Sequence, residues 1–397
     1  MRERWKRVKF GAFLRPNTRP YTLGSDEDAN LVGMRLYGKG PFHRELKPAL
    51  RIAKKSHFVI RSGDIIYNKL FAWKGTFGIV PPELDRMLVS DKFPTYELDR
   101  ARADERYLSW YFQMPELWAQ AQAMSTGSAA LSKLTLNPPK FLLLDMPLPP
   151  LIEQRRTAAR ITELAAKIAE ARTLRRAASA KHVALGRASV ARIFKLAQAQ
   201  FPSTPLGDCV ELRGGGTPSK SDPSLWGGDI PWVTPKDMKA REIFTSRNTI
   251  TSAGLSSSPA KLIAPGAVLI VVRGMILAHT FPSAVLRVPA TINQDMKALV
   301  LCERLDADFL VEFFWAVNSA IVEMVEKSTH DTRKFTTQRL LGIGVPLPPI
   351  NEQRRIAKEA AAIRSQLSTV AEAQAKADAQ LDALLPSILD RAFKGEL

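Results

Sequence analysis

The stretch Pro147-Leu-Pro-Pro-Leu-Ile-Glu-Gln-Arg-Arg156 returns 199 positions further on as Pro346-Leu-Pro-Pro-Ile-Asn-Glu-Gln-Arg-Arg355. The same offset carries Arg192 and Phe194 onto Arg391 and Phe393, so the two copies stay in register without insertion. Each copy opens on prolines, which cannot occupy a helix interior, and continues into a stretch rich in Ala, Leu, Arg, Gln and Glu. A long helix is predicted after each proline cluster. In the second copy Ile356, Ala360, Ile363, Leu367, Val370, Gln374, Ala377, Leu381, Leu384 and Ile388 alternate steps of four and three, the seam of a coiled coil. The matching seam of the first copy, Thr157, Ile161, Leu164, Ile168, Ala171, Arg175, Ala178, His182, Leu185 and Ser189, is more polar.

At about 1.5 Å per residue each helix would run roughly 60–70 Å, too long to bury its stripe inside one compact domain. Two helices of one chain with matched seams and a globular segment between them pair most simply antiparallel. The expected fold class is therefore α+β: two mixed α/β domains joined by two long antiparallel coiled-coil helices, with pseudo-two-fold symmetry following from the repeat. The boundaries read as a first domain over 1–146, a spacer helix over 147–200, a second domain over 201–345 and a second spacer helix over 346–397. Inside the domains Ala267–Val272 reads as a strand and Asp104–Gln122 as a helix, and Gly63-Asp-Ile-Ile66 is echoed by Gly266-Ala-Val-Leu269.

Of 397 residues, 45% are hydrophobic and 24% charged, a globular composition that excludes a wholly disordered or collagen-like chain. With Cys209 and Cys302 alone, no disulfide framework or multi-thiolate metal site can be built, and a reducing, cytoplasmic setting is expected. The longest apolar run, Leu262 to Val272, is interrupted by Pro265-Gly266 and falls short of the roughly 20 residues that span a bilayer, so no membrane partner is expected. The opening Met1-Arg-Glu-Arg-Trp-Lys-Arg7 lacks the apolar stretch of a signal peptide. Lys and Arg number 57 against 39 Asp and Glu, and the resulting +18 favours a polyanionic partner such as nucleic acid. The excess is uneven: residues 1–150 carry 24 basic against 15 acidic groups and 151–199 carry 11 against 3, whereas the rest is nearly neutral. Arg155, Arg156, Arg160, Arg172, Arg175 and Arg176 on the first helix would meet phosphates or an acidic protein partner.

No motif argues for catalysis. Asn137-Pro138-Pro139-Lys140 resembles the loop with which amino-methyltransferases hold a flipped base but lacks the aromatic ring that would stack on it. Gly214-Gly-Gly-Thr-Pro-Ser-Lys220 has the composition of a phosphate loop without its spacing. His43, His57, His182, His279 and His330 show no metal-ligand spacing. Basic, amide and aromatic residues do cluster in loop-like stretches of both domains, and these residue types read bases and hold phosphates. The candidate DNA contacts are Lys39, Arg44, Lys69, Trp73 and Lys74 in the first domain. In the second they are Thr217, Ser219, Lys220, Trp232, Lys236, Arg273, His330, Thr332, Arg333 and Lys334.

Together the duplicated Pro-Leu-Pro-Pro-x-x-Glu-Gln-Arg-Arg elements, Gly214-Gly-Gly-Thr-Pro218, Ile230-Pro-Trp232, Asn293-Gln294 and the terminal Leu385 to Leu397 are specific, and the chain resembles the specificity (S) subunit of Type I restriction-modification systems over its whole length. Tyr37-Gly-Lys-Gly40 and Gly63-Asp-Ile-Ile66 carry the same likeness in the first domain. The resemblance implies two target-recognition domains, each reading one half of a bipartite double-stranded DNA sequence, with the helices as a ruler across the gap. It implies two modification subunits that carry S-adenosylmethionine, restriction subunits that use ATP and Mg, and no cofactor on this chain. The alternative is a self-contained DNA methyltransferase or nuclease with duplicated DNA-binding domains.

Overall fold

The computed structural model describes residues 5–24, 26–52, 56–127, 134–327 and 333–397. The chain forms two compact units, one of residues 1–175 with 375–397 and one of residues 176–374. Each unit thus owns one globular segment and one half of each long helix. The helices run Leu151–Gln200 and Ile350–Phe393, as the proline-then-Ala/Leu pattern predicts.

In the first unit a four-stranded antiparallel sheet is ordered Leu14–Pro16, Thr95–Leu98, Ile65–Tyr67, Phe77–Ile79. Beneath it lies an aromatic core in which Phe141 stacks on Tyr67 at 4.2 Å and Phe10, Phe77, Tyr96 and Phe112 are buried. A second, five-stranded sheet is ordered Pro20–Thr22, Ser56–Val59, Leu88–Val89, Asp28–Met34, Pro41–Pro48. In the second unit Val210–Gly214, Met296–Leu301, Val268–Val271 and Ser283–Leu286 form a sheet in the corresponding order, with Glu242–Ile243 added at its edge. A three-stranded sheet of Asn248–Ile250, Trp226–Val233 and Thr291–Ile292 lies apart from it. The echo between Gly63 and Gly266 is a shared turn: both are left-handed, at φ 87° and 91°, a conformation that favours glycine, and both lead into a buried inner strand. The helix expected over Asp104–Gln122 is broken into Glu105–Tyr111 and Pro115–Met124, because Pro115 disfavours the helical conformation at Met114 and opens a new helix instead.

The repeated decapeptide is a joint. Gln154 and Gln353 are fully buried. Gln154 accepts from the Asp104 amide at 2.7 Å and donates to the carbonyls of Arg102 at 3.0 Å and Pro149 at 2.8 Å. Gln353 does the same with the Asp306 amide at 2.8 Å, Arg304 at 2.7 Å and Pro348 at 2.8 Å. Asp104 and Asp306 cap the domain helices Glu105–Tyr111 and Ala307–Ala316, and Arg155 and Arg354 lie 3.6 and 3.5 Å from those same carboxylates. The glutamates before them brace the helix start, Glu153 to Arg156 and Glu352 to Arg355. At the far ends Phe393 packs edge-on against Tyr107 and Tyr111 in the first unit, and Phe194 packs on Phe309 and Phe313 in the second.

Within each unit the helices are antiparallel. In the first, Arg172 reaches Asp382 at 2.7 Å and Arg175 reaches Asp378 at 3.0 Å. In the second, Gly186 lies against Leu367, and Phe194 shares its core with Ile356 and Ala360. The predicted seam is kept over most of its length and slips at two places. Ser179 and the buried Gly186 take the positions expected of Ala178 and Leu185, leaving Leu185 67% exposed. The reason is size, since a Cβ on Gly186 would stand 2.4 Å from a Leu367 methyl and make that side chain move from its place in the seam. Near Pro386 inside the second helix, Leu385 and Leu389 turn inward and Leu384 is exposed.

Candidate nucleic-acid interface

In the first unit the hairpin Asp28–Met34 and Pro41–Pro48 ends in a turn where Tyr37, Gly38 and Gly40 have φ of 62°, 69° and 74°. Gly38 admits no side chain, because a Cβ would sit 2.5 Å from the Phe112 carbonyl oxygen. Tyr37 is a non-glycine residue held in this region, at a cost of about 1–3 kcal/mol. The surroundings hold it there. Its amide donates to the Lys74 carbonyl at 2.9 Å, the Gly38 amide donates to Gly75 at 2.7 Å, and its half-exposed ring lies 5.4 Å from that of Trp118. These two amide bonds bring the backbone of Tyr37-Gly-Lys-Gly40, with exposed Lys39, beside that of Lys74 and Gly75. The Lys74 ammonium lies 4.8 Å over the Trp73 ring, and the Trp73 indole N–H has no acceptor among the described residues. Arg44 is exposed and 3.5 Å from Glu45. Lys69 is half-buried, its backbone bonded to Lys92 and Leu136, so its main chain is structural.

In the second unit Gly214 to Gly216 are packing glycines rather than a phosphate cradle. A Cβ on Gly215 would meet the Ile292 carbonyl at 2.1 Å, and one on Gly216 would meet the Pro259 backbone at 2.5 Å. Gly216 donates to Ile292 at 2.9 Å and accepts from the indole of buried Trp232 at 2.8 Å. Trp226 meets Trp232 edge to face at 4.9 Å and donates to the Ser219 carbonyl at 2.9 Å. The result is a cleft of about 610 Å³ lined by Lys220, Trp226, Trp232, Thr234, Lys236, Asn248, Asn293 and Asp295. Asp237 fixes one wall by accepting from the amides of Thr234 and Arg247.

Thr217 bonds Gln294 at the rim, while Ser219 and Lys220 are exposed. Arg273 reaches the cleft indirectly, pairing with Asp295 at 2.7 Å, and Asp295 in turn bonds Asn293. Arg333 and Lys334 join this edge, Gly274 donating to the Arg333 carbonyl and Arg273 bridging Lys334. His330 and Thr332 lie outside the described residues. Asn248 was not signalled by sequence: a single exposed amide on a short strand has no periodicity or motif, yet it lines the cleft. Lysines there suit phosphates, and Asn248 offers the donor–acceptor pair that matches adenine.

The first helix is less available to an anion than its charge suggests. Arg155, Arg156, Arg160, Arg172 and Arg175 each meet a carboxylate of this chain. The Asn137-Pro-Pro-Lys140 stretch begins a one-turn helix whose Phe141 is buried in the aromatic core. Among the described residues no group of three or more His, Cys, Asp or Glu is placed to hold a metal, and no helix is long and apolar enough to cross a membrane.

Residues 201–369 match the Type I restriction modification DNA specificity domain. The chain is 38% identical over 152 residues to the specificity subunit of the type I restriction enzyme EcoR124I/EcoR124II of Escherichia coli, covering 38% of each chain. It is 30% identical over 157 residues to the MjaIX specificity subunit of Methanocaldococcus jannaschii, covering 38% of this chain and 35% of that one. These alignments thus span well under half of the curated relatives' length. Among solved structures, the HsdS subunit from Thermoanaerobacter tengcongensis is similar at a TM-score of 0.68 and 24% identity, over 100% of this chain and 98% of that one. A chain from a structure on complex assembly and conformational transition of the type I R-M system is similar at 0.74 and 24% identity, over 99% and 98%. The repeated joint and two-unit build go with these likenesses: residues 201–369 match the type I restriction modification DNA specificity domain, and the whole chain has the fold of the two solved structures.

Proposed function

We propose that this chain is the non-catalytic DNA-recognition subunit of a type I restriction-modification complex, each unit reading one half of a bipartite double-stranded target. The observation that carries the reading is the gathering of basic and aromatic residues in each unit, beside the Tyr37–Gly40 turn in one and around the cleft in the other, each on a domain keyed to the helices by the same buried glutamine. Lys39 and Lys74 in one unit and Lys220 and Lys236 in the other meet phosphates, and Asn248 reads a base edge. The paired helices fix the gap, so that binding one half-site raises the effective concentration of the other. Half-site centres lie about one DNA turn, 34–36 Å, apart.

Two modification subunits dock on this chain and bring S-adenosylmethionine for adenine methylation. Restriction subunits bring ATP and Mg, and the complex works in the cytoplasm. The likeness to a structure on type I complex assembly supports this assignment of partners. The test is methylation mapping of DNA from cells expressing the complex. Replacing residues 201–345 with the equivalent segment of another such subunit changes one half of the methylated motif and leaves the other half. Both halves changing, or methylation by the purified chain alone, contradicts the reading.

A further inference from the structure

The chain's two cysteines, remote in sequence, face each other in the second unit. Strand Val210–Gly214 pairs antiparallel with Met296–Leu301, Val210 opposite Leu301. One step beyond that pair, the Cys302 amide donates to the Cys209 carbonyl at 2.9 Å. Directly opposed residues of antiparallel strands have Cα atoms about 4.5–5.5 Å apart, inside the roughly 4.4–6.8 Å over which a disulfide closes. As opposed residues of an antiparallel pair their side chains leave the same face, near enough for Cys302 to act on the Cys209 thiol. They differ in access, Cys209 being buried in the domain core and Cys302 partly exposed. Burial pushes the Cys209 thiol up, and the neighbouring Cys302 pushes it the same way, so Cys209 by itself is a poor target for an oxidant.

We propose that Cys209 and Cys302 form an oxidisable dithiol site, which a peroxide converts into one intramolecular disulfide. The Cys302 thiolate attacks the peroxide O–O bond, giving a sulfenic acid on Cys302 and releasing water from hydrogen peroxide. The Cys209 sulfur then attacks the Cys302 sulfur, the S–S bond forms, the S–O bond breaks and the oxygen leaves as a second water. Two thiols are oxidised and one peroxide is reduced, so no further reductant or oxidant enters. The link closes where Cys302 leads into Arg304 and Asp306, the two residues whose backbone Gln353 holds. It therefore staples the sheet to the joint with the helices in the second unit. This site stands on the strand register and is independent of the DNA-recognition reading.

The test uses the purified full chain, treated with a slight excess of hydrogen peroxide, unfolded in N-ethylmaleimide and digested for mass spectrometry. The expected product is the Cys209 peptide joined to the Cys302 peptide, two hydrogens lighter than their sum, free of maleimide and released by dithiothreitol, with the protein monomeric on a non-reducing gel. In C209S the sulfenic acid persists on Cys302 and is captured by dimedone. In C302S the remaining Cys209 reacts at least about tenfold more slowly. The proposal is overturned if both cysteines of the wild type take up maleimide after peroxide treatment, if the only disulfide joins two chains, or if Cys302 over-oxidises as fast in the wild type as in C209S.

Discussion

The two units share a joint and differ in how they reinforce it. In both, a buried glutamine ties the helix start to the cap of a domain helix, and a phenylalanine from the other long helix packs on that same domain helix. Beyond that they diverge. The first unit adds a neutral contact, the Trp110 indole donating to Thr162 at 3.1 Å. At the corresponding place the second unit carries buried Glu312, bonded by Arg364 and lying 3.7 Å from Arg241, whose guanidinium stacks 4.7 Å over Trp315. Burial, which takes the guanidinium out of water, pushes Arg241 down to about 10. The parts that meet the helices are repeated, whereas the proposed reading faces and the contacts beside them differ.

Breaking the shared part should hurt most, and equally. Gln154→Leu and Gln353→Leu each strand a buried amide and two carbonyls, costing about 3–5 kcal/mol, and matched losses in denaturant midpoints would confirm equivalent joints. Losses differing by more than about half would contradict it. The unshared parts should separate the units. Glu312→Ala leaves Arg241 and Arg364 facing each other at a cost of about 3 kcal/mol, while Trp110→Phe, losing one exposed hydrogen bond, costs about 1 kcal/mol. A smaller effect is expected at Gly186→Ala, where crowding of Leu367 outweighs a helix-propensity gain of about 1 kcal/mol, and Leu367→Ala in the same chain should recover the difference.

On the proposed reading faces, Lys236→Ala in the assembled complex should weaken binding to all sequences alike and reduce the salt slope by about one. Asn248→Ala should instead relax preference at one position of one half-site by about 1–3 kcal/mol, read from competition among sequence variants.

The helices were legible in sequence because proline clusters, a repeated decapeptide and a three-four apolar rhythm leave marks in one dimension, whereas the burial of Gln154 and Gln353 that makes the decapeptide a joint shows only in the folded chain. The slip at Gly186 was not, because it depends on the room Leu367 needs and not on any rhythm of the first helix itself. Gly214–Gly216 have the composition of a phosphate loop without its spacing, and in the structure their smallness serves neighbouring backbone. The cleft was half legible. Trp232, Lys220 and Lys236 came from composition, while Asn248 and Asp295 join them only once strands distant in sequence have paired.

The claim on which the rest depends is that the helix pair sets the spacing between two readers. The direct measurement is the methylated motif of a variant with one heptad inserted after Arg176 and another before Gln374. Seven residues add about 10 Å of helix, and at about 3.4 Å per base pair the gap should grow by about three base pairs with both half-sites unchanged. Methylation at the original gap would contradict the account.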